Sequence, residues 1–215
     1  MSEYVYNPRF TFLARCWWQA SDTPIEPTGW AGASRYLSAL WVETGSRGAR
    51  GHVDRYLRGE PDGWLEKTLS PTDYQAPAHE YYELFWFGAY QQADGAEDKP
   101  LSYEVRVADR VWNVSKWVLD YNSSFLSGYV GIWEGTTPRG VKHKPAGARL
   151  WTLEGVQRGA MQEGSRHYNL QLLTPENERI RRYKRDGAWF FNSRKGEPGF
   201  LTMEILSFPL DLGEP

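Results

Sequence analysis

The chain reads as an all-β protein, an antiparallel meander β-barrel, and three observations predict it. Apolar and polar residues alternate with period 2 from end to end, the signature of strands with one buried face. Gly-, Pro- and Asp-rich turns interrupt that alternation at short intervals. The 215 residues include 11 Trp, 13 Tyr and 9 Phe, residue types that fit a pleated, half-buried surface. A two-sheet β-sandwich is the competing architecture. No shift in composition and no internal repeat divides the chain, so residues 1–215 are expected to form a single domain.

Near the start, Phe10, Phe12, Ala14, Cys16 and Trp18 fall on one strand face, with Thr11, Leu13, Arg15 and Trp17 on the other. Residues 31–43 follow as a long strand. A helix competes over 34–42, where Tyr36 and Leu40, and Leu37 and Trp41, also sit at helical spacing. Strands are expected over 51–58 and 64–69, joined by Gly-Glu-Pro-Asp-Gly, a strong turn signal. The most aromatic strand is 79–91 (HEYYELFWFGAYQ). Segments 101–108 and 111–121 form a hairpin about Asp109-Arg110. Further strands are expected over 127–134, 148–155, 166–173, 180–185, 188–192 and 200–208. Closely spaced strands in the last third suggest a meander, which closes naturally into an up-and-down barrel.

Charge and cysteine content narrow the function classes. Twenty-five basic residues face 27 acidic ones, so the chain lacks the basic surface that phosphate backbones require, and nucleic acid is not an expected partner. No apolar run of membrane-spanning length occurs, and the N-terminal residues carry no leader pattern. With Cys16 as the lone cysteine, the expected compartment is the cytoplasm. Self-association into a homo-oligomer is left open by the composition.

Polar residues that share a face with aromatics are the informative ones, because burial requires them to be paired or functional. On strand 79–91, His79, Tyr81, Glu83, Phe85 and Phe87 share a face. An imidazole, a phenol and a carboxylate at alternate positions supply what general acid–base chemistry needs: a base near neutral pH, a carboxyl raised by desolvation and a hydroxyl to hold an oxyanion. Glu83 is the candidate acid or base, His79 its partner, and Tyr81 the hydrogen-bond donor; Phe85 and Phe87 would line the ligand. The competing reading pairs His79 with Glu83 at a solvent-facing strand end. On strand 166–173, His167, Asn169 and Gln171 fall on one face and are either its solvated side or ligand-orienting groups in a cavity. Arg35, in aromatic surroundings, is a structural stacking contact or the anchor of an acidic planar ligand.

Other signals are sparse. The histidines His52, His79, His143 and His167 show no metal-ligand spacing, so no metal and no other cofactor is expected. Cys16 lies on an apolar face and reads as inert. The basic run 178–186 (ERIRRYKRD) suits a charged edge that discourages edge-to-edge pairing. The loop 135–147, carrying Arg139, Lys142, His143 and Lys144, reads as a mobile rim that attracts an anionic ligand.

Residues 85–92 (FWFGAYQQ) resemble an aromatic strand of some alginate lyases, and the strand order resembles that of lipocalin-like proteins. Neither resemblance brings a matching catalytic set, so no residue roles are carried over. The resulting expectation is a small-molecule-binding barrel with an aromatic cavity for a hydrophobic or planar ligand. Such a barrel either carries the ligand or acts on it as a cofactor-independent isomerase, cyclase or lyase. The alternatives are a glycan-binding or glycan-processing sandwich with a platform of Trp17, Trp18, Trp112, Trp117 and Trp133, and a non-catalytic protein-interaction module.

Overall fold

The computed structural model describes residues 3–19, 21–24, 38–44, 52–58, 83–94, 99–109, 111–121, 128–185 and 188–210, with the backbone alone for 38–44, 52–58, 185 and 188–189. The fold is all-β and mostly antiparallel. Among the described residues the only helical turns are two short 3-10 turns, Pro8–Phe10 and Arg158–Ala160.

Six strands close on themselves: β2 (Phe12–Gln19), β5 (Leu84–Gln92), β6 (Ser102–Ala108), β10 (Trp151–Glu154), β11 (Arg166–Leu173) and β15 (Phe200–Ser207). Each pairs antiparallel with the next, and β15 returns to β2 through an unbroken register from Phe200↔Gln19 to Ile205↔Ala14. Around the ring the strands follow chain order, so the path is an up-and-down meander.

Three excursions interrupt that meander. β3 (Ser38–Thr44) and β4 (His52–Arg58) leave between β2 and β5. β7 (Val114–Tyr121), β8 (Val130–Glu134) and β9 (His143–Lys144) leave between β6 and β10. β12 (Arg181–Arg185), β13 (Ala188–Asn192) and β14 (Glu197–Pro198) leave between β11 and β15. The excursions then pair with one another in the order β7-β8-β4-β13-β12-β14. β6 joins this wing to the ring by splitting one edge: Ser102 and Tyr103 face β10, while Arg106 and Ala108 face β7. β1 (Tyr4–Tyr6) lies between β5 and β9.

The ring interior is filled. Phe12, Ala14, Cys16 and Trp18 point inward from β2, and Phe85, Phe87 and Ala89 from β5. They meet Tyr103, Val105 and Val107 of β6 and Leu201, Met203 and Ile205 of β15. Side chains of a strand point alternately to its two sides, which brings these residues of β2 and β5 onto one face. The opposite face of the same strands is also covered. Leu13, Leu84, Trp86 and Ala108 form a second cluster with Tyr6, Val114, Leu206 and Leu210. Burial on both faces explains why β5 reads as a continuous aromatic run rather than a half-polar strand.

The expected strands at 51–58, 166–173, 188–192 and 200–208 are found within a residue or two. The first half of the long strand predicted over 31–43 and the whole of 64–69 lie outside the described residues. The loop 135–147 packs against the sheet. Its Lys142 carbonyl accepts from Tyr6 N at 2.9 Å, its residues His143 and Lys144 pair with β1, and Lys144 forms an ion pair with Glu104.

Candidate functional site

An open cavity of about 670 Å³ lies where β6 begins and β10 ends. Its apolar wall is Leu101, Tyr103, Leu153 and Val156, and Thr152, Glu154 and Arg158 supply polar groups. The first two strand residues of β6 pair with the first two of β10 (Tyr103↔Trp151, Ser102↔Thr152), so the cavity is anchored on the ring itself. Loop and 3-10 residues from Gly155 to Arg158 complete the rim.

Aromatic packing holds Tyr103 in place. Phe12 and Phe87 stack at 4.8 Å between ring centres, and Tyr103 meets both edge-on at 5.7 and 6.0 Å. Burial pushes the Tyr103 phenol above its usual range, opposed by the nearby Arg158 charge, so the hydroxyl stays protonated as a hydrogen-bond donor. Arg158 donates to the Lys99 carbonyl, and its guanidinium sits 5.4 Å from the centre of the Phe10 ring. Arg9 occupies a comparable position at 5.6 Å. Cation–π contact and a backbone acceptor therefore orient Arg158 at the rim.

The sequence-nominated residues are distributed differently. Phe85 and Phe87 are 3% and 2% exposed inside the ring, and Phe87 reaches the cavity only through Tyr103. Glu83 immediately precedes β5, whereas Tyr90, at the other end of that strand, pairs with Ser102 beside the cavity. Seven residues of extended chain separate Glu83 from Tyr90, roughly 23 Å. His79, Tyr81 and Arg35 lie outside the described residues.

On β11 the simple alternation fails. The register shifts between His167↔Met203 and Leu170↔Leu201, and Asn169 has φ of 56°. This bulge turns His167 and Leu170 to the same side, so His167, Asn169 and Gln171 do not share a face. His167 is buried, and its Nε2 lies 3.0 Å from Ser165 Oγ. Burial lowers its pKa below the ordinary 6.5. Asn169 is exposed, yet its Oδ1 accepts from Gln19 Nε2 at 3.1 Å and its N–H donates to Gln19 Oε1 at 3.3 Å. Asn169 thus locks the bulge against β2. Gln171 is half-buried, and its Oε1 has no hydrogen-bond partner.

The proposed tryptophan platform divides. Trp17 and Trp18 are buried at 1% and 2% exposure, Trp117 and Trp133 are half-buried, and Trp112 is 44% exposed. Trp112 sits in the β6–β7 turn at φ of 69°, next to Val111, which is 77% exposed. The Asp109 carboxylate holds this turn by accepting from Val111 N, Asn113 N and Asn113 Nδ2, each at 2.9 Å.

The cavity residues Tyr103, Thr152, Glu154, Val156 and Arg158 carry no motif that singles them out in the sequence. One local signal was available on β6: Glu104 and Arg106, opposite in charge, alternate with Tyr103, Val105 and Val107. Both prove to be buried, and they form an ion pair on the outer face of the ring.

Among the described residues no group of three or more His, Cys, Asp or Glu is placed to hold a metal ion, and no helix is long and apolar enough to cross a membrane. Comparison with known proteins finds no matching family model, no similar curated protein and no similar solved structure.

Proposed function

We propose that the protein is a small-molecule-binding β-barrel of the lipocalin-like kind, with its ligand seated at the end of the six-strand ring. The carrying observation is the cavity of about 670 Å³ at the start of β6, a size within the usual span of ligand pockets. Its mix of apolar wall and few polar groups suits a planar or hydrophobic ligand oriented by one or two hydrogen bonds. Tyr103 supplies a protonated hydroxyl and Arg158 a cation for a polar end. A filled interior supports binding at the end rather than at the centre of the ring. The reading assigns binding and no catalytic role.

The test is a titration of intrinsic fluorescence, reported by Trp151 opposite Tyr103, against planar aromatic acids, polyenes, tetrapyrroles and oligosaccharides. Saturable binding is expected for a flat, apolar compound. Val156→Trp, which fills the cavity, should abolish it while leaving thermal stability intact. Undiminished binding to that variant would overturn the assignment of the site.

A second reading rests on the β6–β7 turn. A bulky residue at positive φ is uncommon, and such strain concentrates where function requires a presented side chain. The Val111–Trp112 tip would dock another protein chain through apolar contact. Trp112→Ala should then abolish any concentration-dependent association seen by size-exclusion chromatography; an unaltered elution profile would remove this reading.

A further inference from the structure

On the outer face of the ring, Trp86 and Tyr90 of β5 stand beside Glu104 and Arg106 of β6, because Trp86 pairs with Arg106 and Gly88 with Glu104. Segment 135–144 covers this face. Glu104 is bound on both sides, by Arg106 Nε at one carboxylate oxygen and by Lys144 Nζ at the other. The side chains of Glu104 and Arg106 are 4% and 3% exposed and that of Lys144 is 12%. One carboxylate therefore faces two cations away from bulk water. Arg106 also donates to the Thr137 carbonyl at 2.7 Å, a neutral acceptor that leaves the excess charge in place.

The same patch contains donors without acceptors. Trp86 Nε1, the Tyr90 hydroxyl and Arg139 Nε are buried and have no hydrogen-bond partner. Trp86 and Tyr90 are each 0% exposed. Tyr6 bridges them, with ring centres 6.4 Å from Trp86 and 5.5 Å from Tyr90. Lys144 Nζ lies 5.2 Å from the Tyr90 ring centre. Indole and guanidinium N–H groups can only donate, so what the patch lacks is an acceptor. Burial, reinforced by the Glu104 charge, pushes the Tyr90 phenol well above its usual range and keeps it a donor. An unmet buried donor lowers stability, and an uncompensated buried charge lowers it further. Water would satisfy the donors but not the charge; a small anion satisfies both.

We propose that this patch is a buried binding site for a small monovalent anion of halide size, held by Trp86 Nε1, the Tyr90 hydroxyl, Arg139 and Lys144. The anion offsets part of the positive charge that Arg106, Lys144 and Arg139 leave unmatched by Glu104, and it fastens segment 135–144 to the ring.

The experiment compares melting temperature in chloride and in gluconate at equal ionic strength, together with anomalous scattering from crystals soaked in bromide. Above half-saturation the chloride melting temperature should rise by roughly 3–5 °C per tenfold increase in concentration. A bromide peak should lie within hydrogen-bonding reach of Tyr90. Tyr90→Phe and Arg139→Gln should each flatten the chloride dependence. Lys116→Met, at an exposed ion pair with Glu134, should preserve it. Arg139 is half-buried, so its variant keeps the test decisive if Tyr90→Phe folds poorly. Identical melting curves in the two salts, with no bromide peak at the patch, would overturn the proposal and assign the space to water.

Discussion

The indole of Trp86 lies across Gly88, two residues further along the same face of β5, and occupies the volume that a Cβ at position 88 would need. Trp86 is fully buried and packed beside Tyr6. Gly88→Ala should displace the indole and destabilise the protein by about 1–3 kcal/mol, as overpacking of a filled core does. Urea denaturation would read this as a lower midpoint at unchanged slope.

Glu104→Gln should be strongly destabilising. It leaves Arg106 and Lys144 buried without their shared counter-charge, an effect of about 3–5 kcal/mol when one partner of a buried pair is removed. Equilibrium unfolding measures the loss. Limited proteolysis should show cleavage within 135–144 appearing in the variant, since Lys144 then has no ion pair to hold that segment.

Stability should fall as the medium is acidified below about pH 6.5. His167 is buried and its pKa is lowered by desolvation, while in the unfolded chain it titrates near 6.5. Between its folded pKa and 6.5 the unfolded chain binds more protons, so stability rises with pH across that window and is level above it. His167→Gln should flatten this part of the pH profile. Melting temperatures from pH 5 to 7.5 would test the contribution, and a profile unchanged by the substitution would refute it.

Cys16 should be silent toward thiol reagents in the native state. It is 3% exposed inside the ring, and burial pushes its pKa up to about 12. The thiolate that such reagents need is scarce at neutral pH. Labelling by a disulfide reagent should proceed at the rate of global unfolding and accelerate in urea. Rapid labelling of the folded protein would contradict the closed ring.

Local periodicity carried much of the fold. The division of β2 and β5 into two faces was legible because side-chain direction in a strand depends only on sequence position; which of the two faces points inward was not. Alternation failed at Asn169. The bulge there is held by Gln19, 150 positions away along the chain, and no local pattern reports such a partner. Glu104 and Arg106 show the same limit. Alternating with Tyr103, Val105 and Val107, they resemble a solvated strand face, and burial beneath Lys144 follows from a distant segment folding back.

The amino-acid sequence by itself determined that this is an all-β chain rich in aromatic core, with strand positions set by period-2 alternation and turn chemistry. Those are properties of neighbouring residues. Only the tertiary structure decided that β2, β5, β6, β10, β11 and β15 close into a ring, that the excursions between them join into a wing, and that the cavity opens beside Tyr103 and Arg158. Each of these depends on contacts between residues far apart in sequence. Such contacts are selected by how well whole faces pack and how completely buried charges and donors are matched, and neither quantity is written in any single stretch of chain.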